Sequence, residues 1–277
     1  MLIKLLKSKN ADKKQSFTRH KLKSNQRIQI GDMTLLEAAS KRHTVRKYSK
    51  KPLSSDIVKK LNNRVQQNNQ KYGLSIKLVI NDATAFSPVI KMFLAKGVKN
   101  YFIMAADLPK GVIAEKGEKI IAEKLGYSGA DIMLYAQTLG LNTWWVGGVF
   151  NRKSTNELMN DKVVIAVVAV GYGKTQGKLH KMRPINEVSK YNTSNQPKWF
   201  INGIKTAMFA PTAFGAQQFR IIGEQSKVRI EVHDDKFGAE ESGIIKYHFE
   251  LGAGTDNFEW TSNAYQRLYE AQKDIPV

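Results

Sequence analysis

No cysteine occurs among the 277 residues, which excludes disulfides, thiolate catalysis and cysteine-bound zinc and suits a reducing compartment. Acidic residues are scarce: 24 Asp and Glu stand against 44 Lys and Arg, a formal net charge of +20. Such a balance attracts polyanions of many kinds, nucleic acid and membrane phosphates among them, without choosing between them. Long apolar runs are missing too. The longest, Val163 to Val170, has the length of a strand and falls far short of the roughly 20 residues that span a bilayer. The N-terminal apolar cluster is interrupted by Lys4 and Lys7 and is too short for a signal peptide, so the cytoplasm is the expected location. The five histidines are scattered, with no metal-ligand spacing to carboxylates, and no Ser/His/Asp arrangement stands out.

What remains is an ordinary globular composition, 42% hydrophobic and 25% charged, in a chain long enough for one large domain or two ordinary ones. Residues 1–31 are basic and aperiodic and read as a mobile tail; residues 1–32 alone carry seven Lys, two Arg and two Asp. Thr34, with Glu37 three residues on, marks the start of a helix over Met33–Ala39. Ser54-Ser55-Asp56 caps a second helix near 56–68. Ile76–Ile80 and Tyr101–Ala106 have strand length, a long helical pattern crosses 112–140 to Gly140, and Trp144 to Phe150 reads as an apolar turn around Gly147-Gly148. Residues 163–171 form a buried β-branched strand. Alternating helices and strands point to a layered α/β or α+β fold.

Tyr191-Asn192-Thr193-Ser194-Asn195-Gln196-Pro197 is the clearest linker, and beyond it the pattern recurs. A helix over Trp199–Thr212 and a strand over Gln218–Ile222 match 56–69 and 75–79 at an offset of 143, while Gly243–Gly254 matches Gly129–Gly140 at an offset of 114. Both of the latter segments are helical with a glycine at each end. This predicts two copies of one unit, the second shortened: a first half over 32–190 and a second over 197–277.

The densest cationic stretch is Ser40-Lys41-Arg42-His43-Thr44-Val45-Arg46-Lys47-Tyr48. Guanidinium forks and a hydroxyl are suited to a phosphate. Arg42, His43, Thr44 and Arg46 resemble the Arg-His-Ser-x-Arg motif of the nitroreductase-like flavoenzymes. Gly129–Gly148, with its Gly147-Gly148 pair, is similar to that family's central helix and the loop after it. Lys181 and Arg183 are similar to its C-terminal Lys-x-Arg pair. Ala210-Pro211-Thr212-Ala213-Phe214-Gly215-Ala216-Gln217-Gln218-Phe219 resembles its Ala-Pro-Ser-x-x-Asn-x-Gln-Pro-Trp segment, with Gly215 where Asn is usual and Gln218-Phe219 where Pro-Trp is usual. The first copy has lost that segment at its equivalent place, Gln67–Leu74. A P-loop at Gly173-Lys174-Thr175 is excluded, because no glycine stands five residues earlier.

The resemblance implies an α+β, nitroreductase-like three-layer fold in which two diverged copies form an intramolecular pseudo-dimer. It implies FMN as cofactor, with NADH or NADPH as co-substrate and an electron-poor nitroaromatic or quinone as acceptor. Arg42, His43, Thr44, Arg46, Lys181 and Arg183 would hold the phosphate, Gly147 and Gly148 would run beside the flavin, and Pro211, Thr212, Ala213 and Gln217 would complete the site from the second half. The complementary losses in the two copies leave one complete site of the two. A monomer follows, since the usual dimer interface becomes internal. Neither a membrane nor nucleic acid is an expected partner. The alternatives are a flavin-binding protein without turnover and a basic nucleic-acid-binding protein; against the latter, the aromatic residues sit in apolar runs rather than among the cations. Asp131 and Glu250 are assigned to surface or interface contacts.

Overall fold

The computed structural model describes residues 33–261 except 161, 194, 234 and 235; the N-terminal tail and the last part of the second half lie outside the described residues. Helix α1 (Leu35–Lys41) starts on the expected capping box. Thr34 Oγ1 accepts from Glu37 N at 3.2 Å and Glu37 Oε2 accepts from Thr34 N at 2.7 Å, which satisfies two otherwise orphaned donors. Helix α2 (Ser55–Tyr72) is capped by Ser54 and closes at Gly73 with φ +66°. It runs a turn beyond the expected end near 68, because nothing between Gln67 and Tyr72 breaks it.

The first sheet contains β1 (Lys77–Val79), β2 (Tyr101–Ala106), β3 (Asn142–Val146) and β4 (Val163–Gly171), in the order β1-β2-β4-β3 and antiparallel throughout. Between them lie α3 (Pro88–Phe93), α4 (Ala114–Thr138) and α5 (Arg152–Met159). The expected turn from Trp144 begins later. Trp144, Trp145 and Val146 pair with Ala169, Val168 and Val167, as aromatic and β-branched residues do when a buried neighbour strand is available. Alternation places Phe102 and Met104 in the core under α2 and α4, and Tyr101 and Ile103 in the opposite one with Phe86 and Trp144, so the sheet is buried on both faces.

The chain continues through α6 (Ile185–Val188) and β5 (Ser189–Tyr191), then α7 (Lys198–Ala207), β6 (Phe219–Glu224), β7 (Lys227–Val232), α8 (Gly238–Ala253) and β8 (Glu259–Trp260). The second sheet is ordered β5-β6-β7-β8. Strand β5 pairs parallel to β6, so the end of the front segment is built into the back sheet. Helix α7 stops at Ala207, earlier than the expected Thr212, because Pro211 cannot donate to a continuing helix. Helix α8 begins five residues before Gly243, with Glu240 and Glu241 in its first turn.

The contact that fixes the arrangement is between α4 and α8. A Cβ added to Gly126 would lie 2.0 Å from Glu240 O, and one added to Gly243 would lie 1.9 Å from Glu123 O. Only glycine permits this backbone approach. Gly126→Ala is therefore expected to destabilise the fold by roughly 1–3 kcal/mol through overpacking, read as a lower urea midpoint.

Candidate functional site

Arg42 closes α1, its backbone N–H donating to Ala38 O. The next residues lie against the end of the first sheet: Val45 N donates to Thr143 O at 3.1 Å, Thr44 bridges Thr143 and Tyr48 bridges Gly173. This docking pulls the Arg42 side chain inward until only 3% of the residue is exposed. Its Nε and Nη1 have no hydrogen-bond partner among the described residues, and burial pushes its pKa down to about 10. It therefore stays charged at neutral pH. A buried, unpartnered cation is unfavourable on its own and points to an anion supplied from outside the chain.

Three imidazoles lie within electrostatic reach of that charge. Burial first, and Arg42 second, lowers the pKa of His43. Burial lowers that of His180, and Arg42 adds to it. His248 is driven to about 3 by burial, with Arg42 contributing. His248 Nδ1 lies 2.8 Å from Ile244 O and, in the neutral ring, donates to it, which leaves Nε2 bare and unpartnered. The cluster therefore carries its positive charge on Arg42, not on histidine. Gly177, at φ +74°, has its Cβ position 2.8 Å from His43 Cβ, so the loop after β4 closes tightly over this segment.

The same loop meets the second half. Gln217 is fully buried: its Oε1 accepts from Arg183 N at 2.8 Å, its Nε2 donates to Met208 O at 2.9 Å, and its own N–H donates to Thr212 Oγ1 at 3.0 Å. His180 Nε2 lies 3.0 Å from Met208 O. The segments around 180–183 and 208–217 are thus joined. The cations differ in their availability. Arg183 is exposed and paired with Glu187 at 2.8 Å, Arg46 is exposed with its guanidinium 5.3 Å from the Trp144 ring centroid, and Lys181 is exposed. Phe214 is 100% exposed and held at φ 55°, followed by Gly215 at φ +68°.

Gly147 and Gly148 follow β3 directly. The Cβ position of Gly147 is 2.5 Å from Glu240 Oε1 and 3.2 Å from the Phe237 ring, and that of Gly148 is 3.5 Å from the same ring. The first turn of α8 is what demands glycine here. Glu240 accepts from Trp145 Nε1 at 3.1 Å, and burial pushes its pKa up to about 8. Its neighbour Glu241 accepts from Ala213 N. Two consecutive acids of α8 thus hold the loop after β3 and the Pro211–Gln217 segment. His180, Phe237, Glu240 and Glu241 were not among the residues expected from the sequence. Adjacent acids opening a helix in so basic a chain were the available signal.

A second cavity, of about 290 Å³, opens between α2, α4 and α8 and is lined by Arg64, Gln67, Lys71, Tyr127, Asp131 and Tyr247 among others. Asp131 is buried there, accepting from Arg64 Nε at 2.6 Å, Asn68 Nδ2 at 2.8 Å and the Tyr247 hydroxyl. Glu250 accepts from Trp260 Nε1 at 2.7 Å and from the Tyr127 hydroxyl. The two carboxylates therefore join α4 and α8 as interior contacts rather than surface ones.

An antiparallel sheet and a mixed one, a close pair of central helices and a buried arginine without partners for two of its nitrogens define an α+β protein with a candidate anion site. A family model described as "Putative TM nitroreductase" matches residues 34–253, and the chain belongs to that family. A solved structure from Thermotoga maritima, described as a "putative nitroreductase", is 17% identical, with 83% of this chain and 88% of that one aligned at a TM-score of 0.57; the two share a fold. A "putative NAD(P)H:FMN oxidoreductase" from Staphylococcus epidermidis aligns at 13% identity over 60% of this chain and 98% of that one, with a TM-score of 0.48. A "putative nitroreductase in complex with FMN" from Exiguobacterium sibiricum aligns at 14% identity over 57% and 97%, with a TM-score of 0.47. No curated protein matches the chain. Among the described residues no helix is long and apolar enough to cross a membrane, and no group of three or more His, Cys, Asp or Glu is placed to hold a metal ion.

Proposed function

We propose that the protein is a cytoplasmic FMN-dependent oxidoreductase that takes hydride from NADH or NADPH and delivers it to an electron-poor acceptor, a nitroaromatic or a quinone. One observation carries the reading: in a nitroreductase-family chain, the first arginine of the Arg42-His43-Thr44-x-Arg46 motif is buried with two nitrogens unpartnered. A phosphate would satisfy both, so the residues present fit FMN at its anionic end. When bound, the flavin supplies hydride acceptance and donation.

The chain's own residues have three tasks. Arg42, with Thr44 beside it, would grip the phosphate. His43 and His180, kept neutral by burial, add polar edges without adding charge. Lys181, which is exposed, would turn to the same anion, whereas Arg183 would have to exchange Glu187 for it. From the second half, Pro211, Thr212 and Ala213 would cover the ring; Gln217 and Glu241 hold that segment in place. Gly147 and Gly148 would present backbone on the other side.

The two-copy reading is part of the proposal. The order helix, strand, strand, helix, strand occurs as α2, β1, β2, α4, β3, with the short α3 set between β1 and β2, and again without that helix as α7, β6, β7, α8, β8; the central helices of the two series pack on each other. A front half over 32–190 and a back half from 197 then make one flavin site in a monomer, and the cavity at Gln67–Lys71 marks the abandoned one. The test is absorption. The purified protein is expected to be yellow, or to become so with FMN, and its flavin band to bleach on adding NAD(P)H. A colourless protein that takes up no FMN would overturn the proposal.

A second reading has one observation in its favour. Phe237 and Glu240 fill the space beside Gly147 and Gly148, which fits a protein that retains flavin yet gives NAD(P)H no access. It calls for a flavin band that NAD(P)H leaves unbleached and dithionite bleaches.

A further inference from the structure

Glu240 has no place in the motifs and none in the scheme above, yet it is enclosed at a point where both halves meet the site. It is 5% exposed. On one side its Oε1 accepts from Trp145 Nε1 and abuts Gly147; its backbone packs on Gly126 of α4; its neighbour Glu241 holds Ala213. The charged groups around it come from each packed element. Glu241 is on its own helix, Lys236 precedes that helix, and Arg152 belongs to α5. On the α4 face, Glu123 is bonded to Lys246 and Tyr127 to Glu250. No cation within this set bonds Glu240 directly, and the donor it does meet is a neutral indole. Such surroundings favour the uncharged acid, and the group is held neutral up to about pH 8.

We propose that Glu240 is a positioning residue whose charge state, felt through the Gly147 loop, sets how readily the bound flavin is reduced. The inference rests on the FMN reading and adds to it a pH-dependent control. Its logic is electrostatic. Hydride from NAD(P)H brings two electrons and one proton, so the loaded site gains one net negative charge as NAD(P)⁺ leaves. With Glu240 protonated, the loop beside Gly147 meets that charge with a neutral acid. With Glu240 ionised, a second negative charge stands in a poorly solvated place and opposes reduction. Ionisation also strengthens the bond from Trp145 Nε1, so the loop itself reports the change. Reduction is therefore favoured below about pH 8 and suppressed above it, over and above the intrinsic pH dependence of flavin.

The experiment compares wild type with Glu240→Gln, which keeps an acceptor for Trp145 and cannot ionise. Midpoint potentials of the FMN-loaded proteins are measured from pH 6 to 10 by dye equilibration. The expected result is a wild-type potential that falls below that of Glu240→Gln by about tenfold in the reduced-to-oxidised ratio at the alkaline end, about 30 mV for a two-electron couple, with the two curves converging in acid. Parallel curves with flavin bound in both would overturn the role of Glu240 and leave the FMN reading standing; no flavin in either would overturn both. A second measurement needs no flavin. Indole emission of the cofactor-free protein is expected to show a step near pH 8 that Glu240→Gln and Trp145→Phe both abolish. Glu241→Gln is expected to keep that step while loosening Ala213. Absence of the step in folded wild type would show that Glu240 does not titrate there, and would overturn the proposal independently.

Discussion

Arg42→Met is expected to raise the stability of the cofactor-free protein while weakening FMN binding by a factor of about 30 or more. The two effects have opposite signs because the same feature causes both. In the free chain the guanidinium is enclosed, charged and lacking partners at Nε and Nη1. Met occupies similar volume without a charge, so its gain is of order 1–3 kcal/mol. In the loaded protein the same nitrogens would meet phosphate, and losing a buried charge-assisted contact costs about 2–5 kcal/mol of affinity, roughly one and a half to three and a half powers of ten. Thermal denaturation with and without FMN measures both. A destabilised cofactor-free variant would show instead that Arg42 supports the fold. An unchanged dissociation constant would show that the phosphate lies elsewhere.

Asp131→Ala is expected to cost about 3–5 kcal/mol, the figure for breaking a buried ion pair from one side. The change leaves Arg64, with its side chain 15% exposed, without its bidentate partner, and removes the acceptor of Asn68 and of the Tyr247 hydroxyl. For a domain of this size the melting temperature would fall by about 10 °C. Because Arg64 belongs to α2, Asp131 to α4 and Tyr247 to α8, the loss loosens the packing of all three helices. Adding Arg64→Met to Asp131→Ala is expected to recover most of the loss, since the stranded charge goes with it. A single variant as stable as wild type would mean that the network does not bind the three helices together.

The strands that carry their own burial were legible in the chain. Residues 101–106 and 163–171 appear at the bounds their apolar runs suggest, because a strand buried on both faces must be apolar at every position. The start of α1 was legible as well, since Thr34 and Glu37 complete its cap within four residues. Strand β3 was hidden by Gly147-Gly148, which made Trp144–Val146 look like the approach to a turn; its pairing with β4 depends on residues farther along the chain, from Val167 to Gly171. The extension of α8 back to Gly238 and the extension of α2 to Tyr72 follow from tertiary contacts and from the lack of a breaker, neither of which periodicity reports.

The candidate site divides in the same way. Arg42 was singled out by its motif and lies buried, and the segments 180–183 and 208–217, both named from the sequence, are hydrogen-bonded to each other. The roles of Glu240 and Glu241 were not legible, because each acts on residues more than 25 positions away: Glu240 on Trp145, Glu241 on Ala213. The glycines at 147 and 148 were read as giving backbone access to a flat ring; the neighbours that the structure sets against them are Glu240 and Phe237.

The central claim is that front and back segments of one chain enclose a single flavin phosphate and ring. Sedimentation of the protein saturated with FMN, followed in the flavin band and the protein band together, tests it most directly. The expected result is one FMN moving with a species of single-chain mass. A colourless boundary, or one FMN shared by two chains, would contradict it.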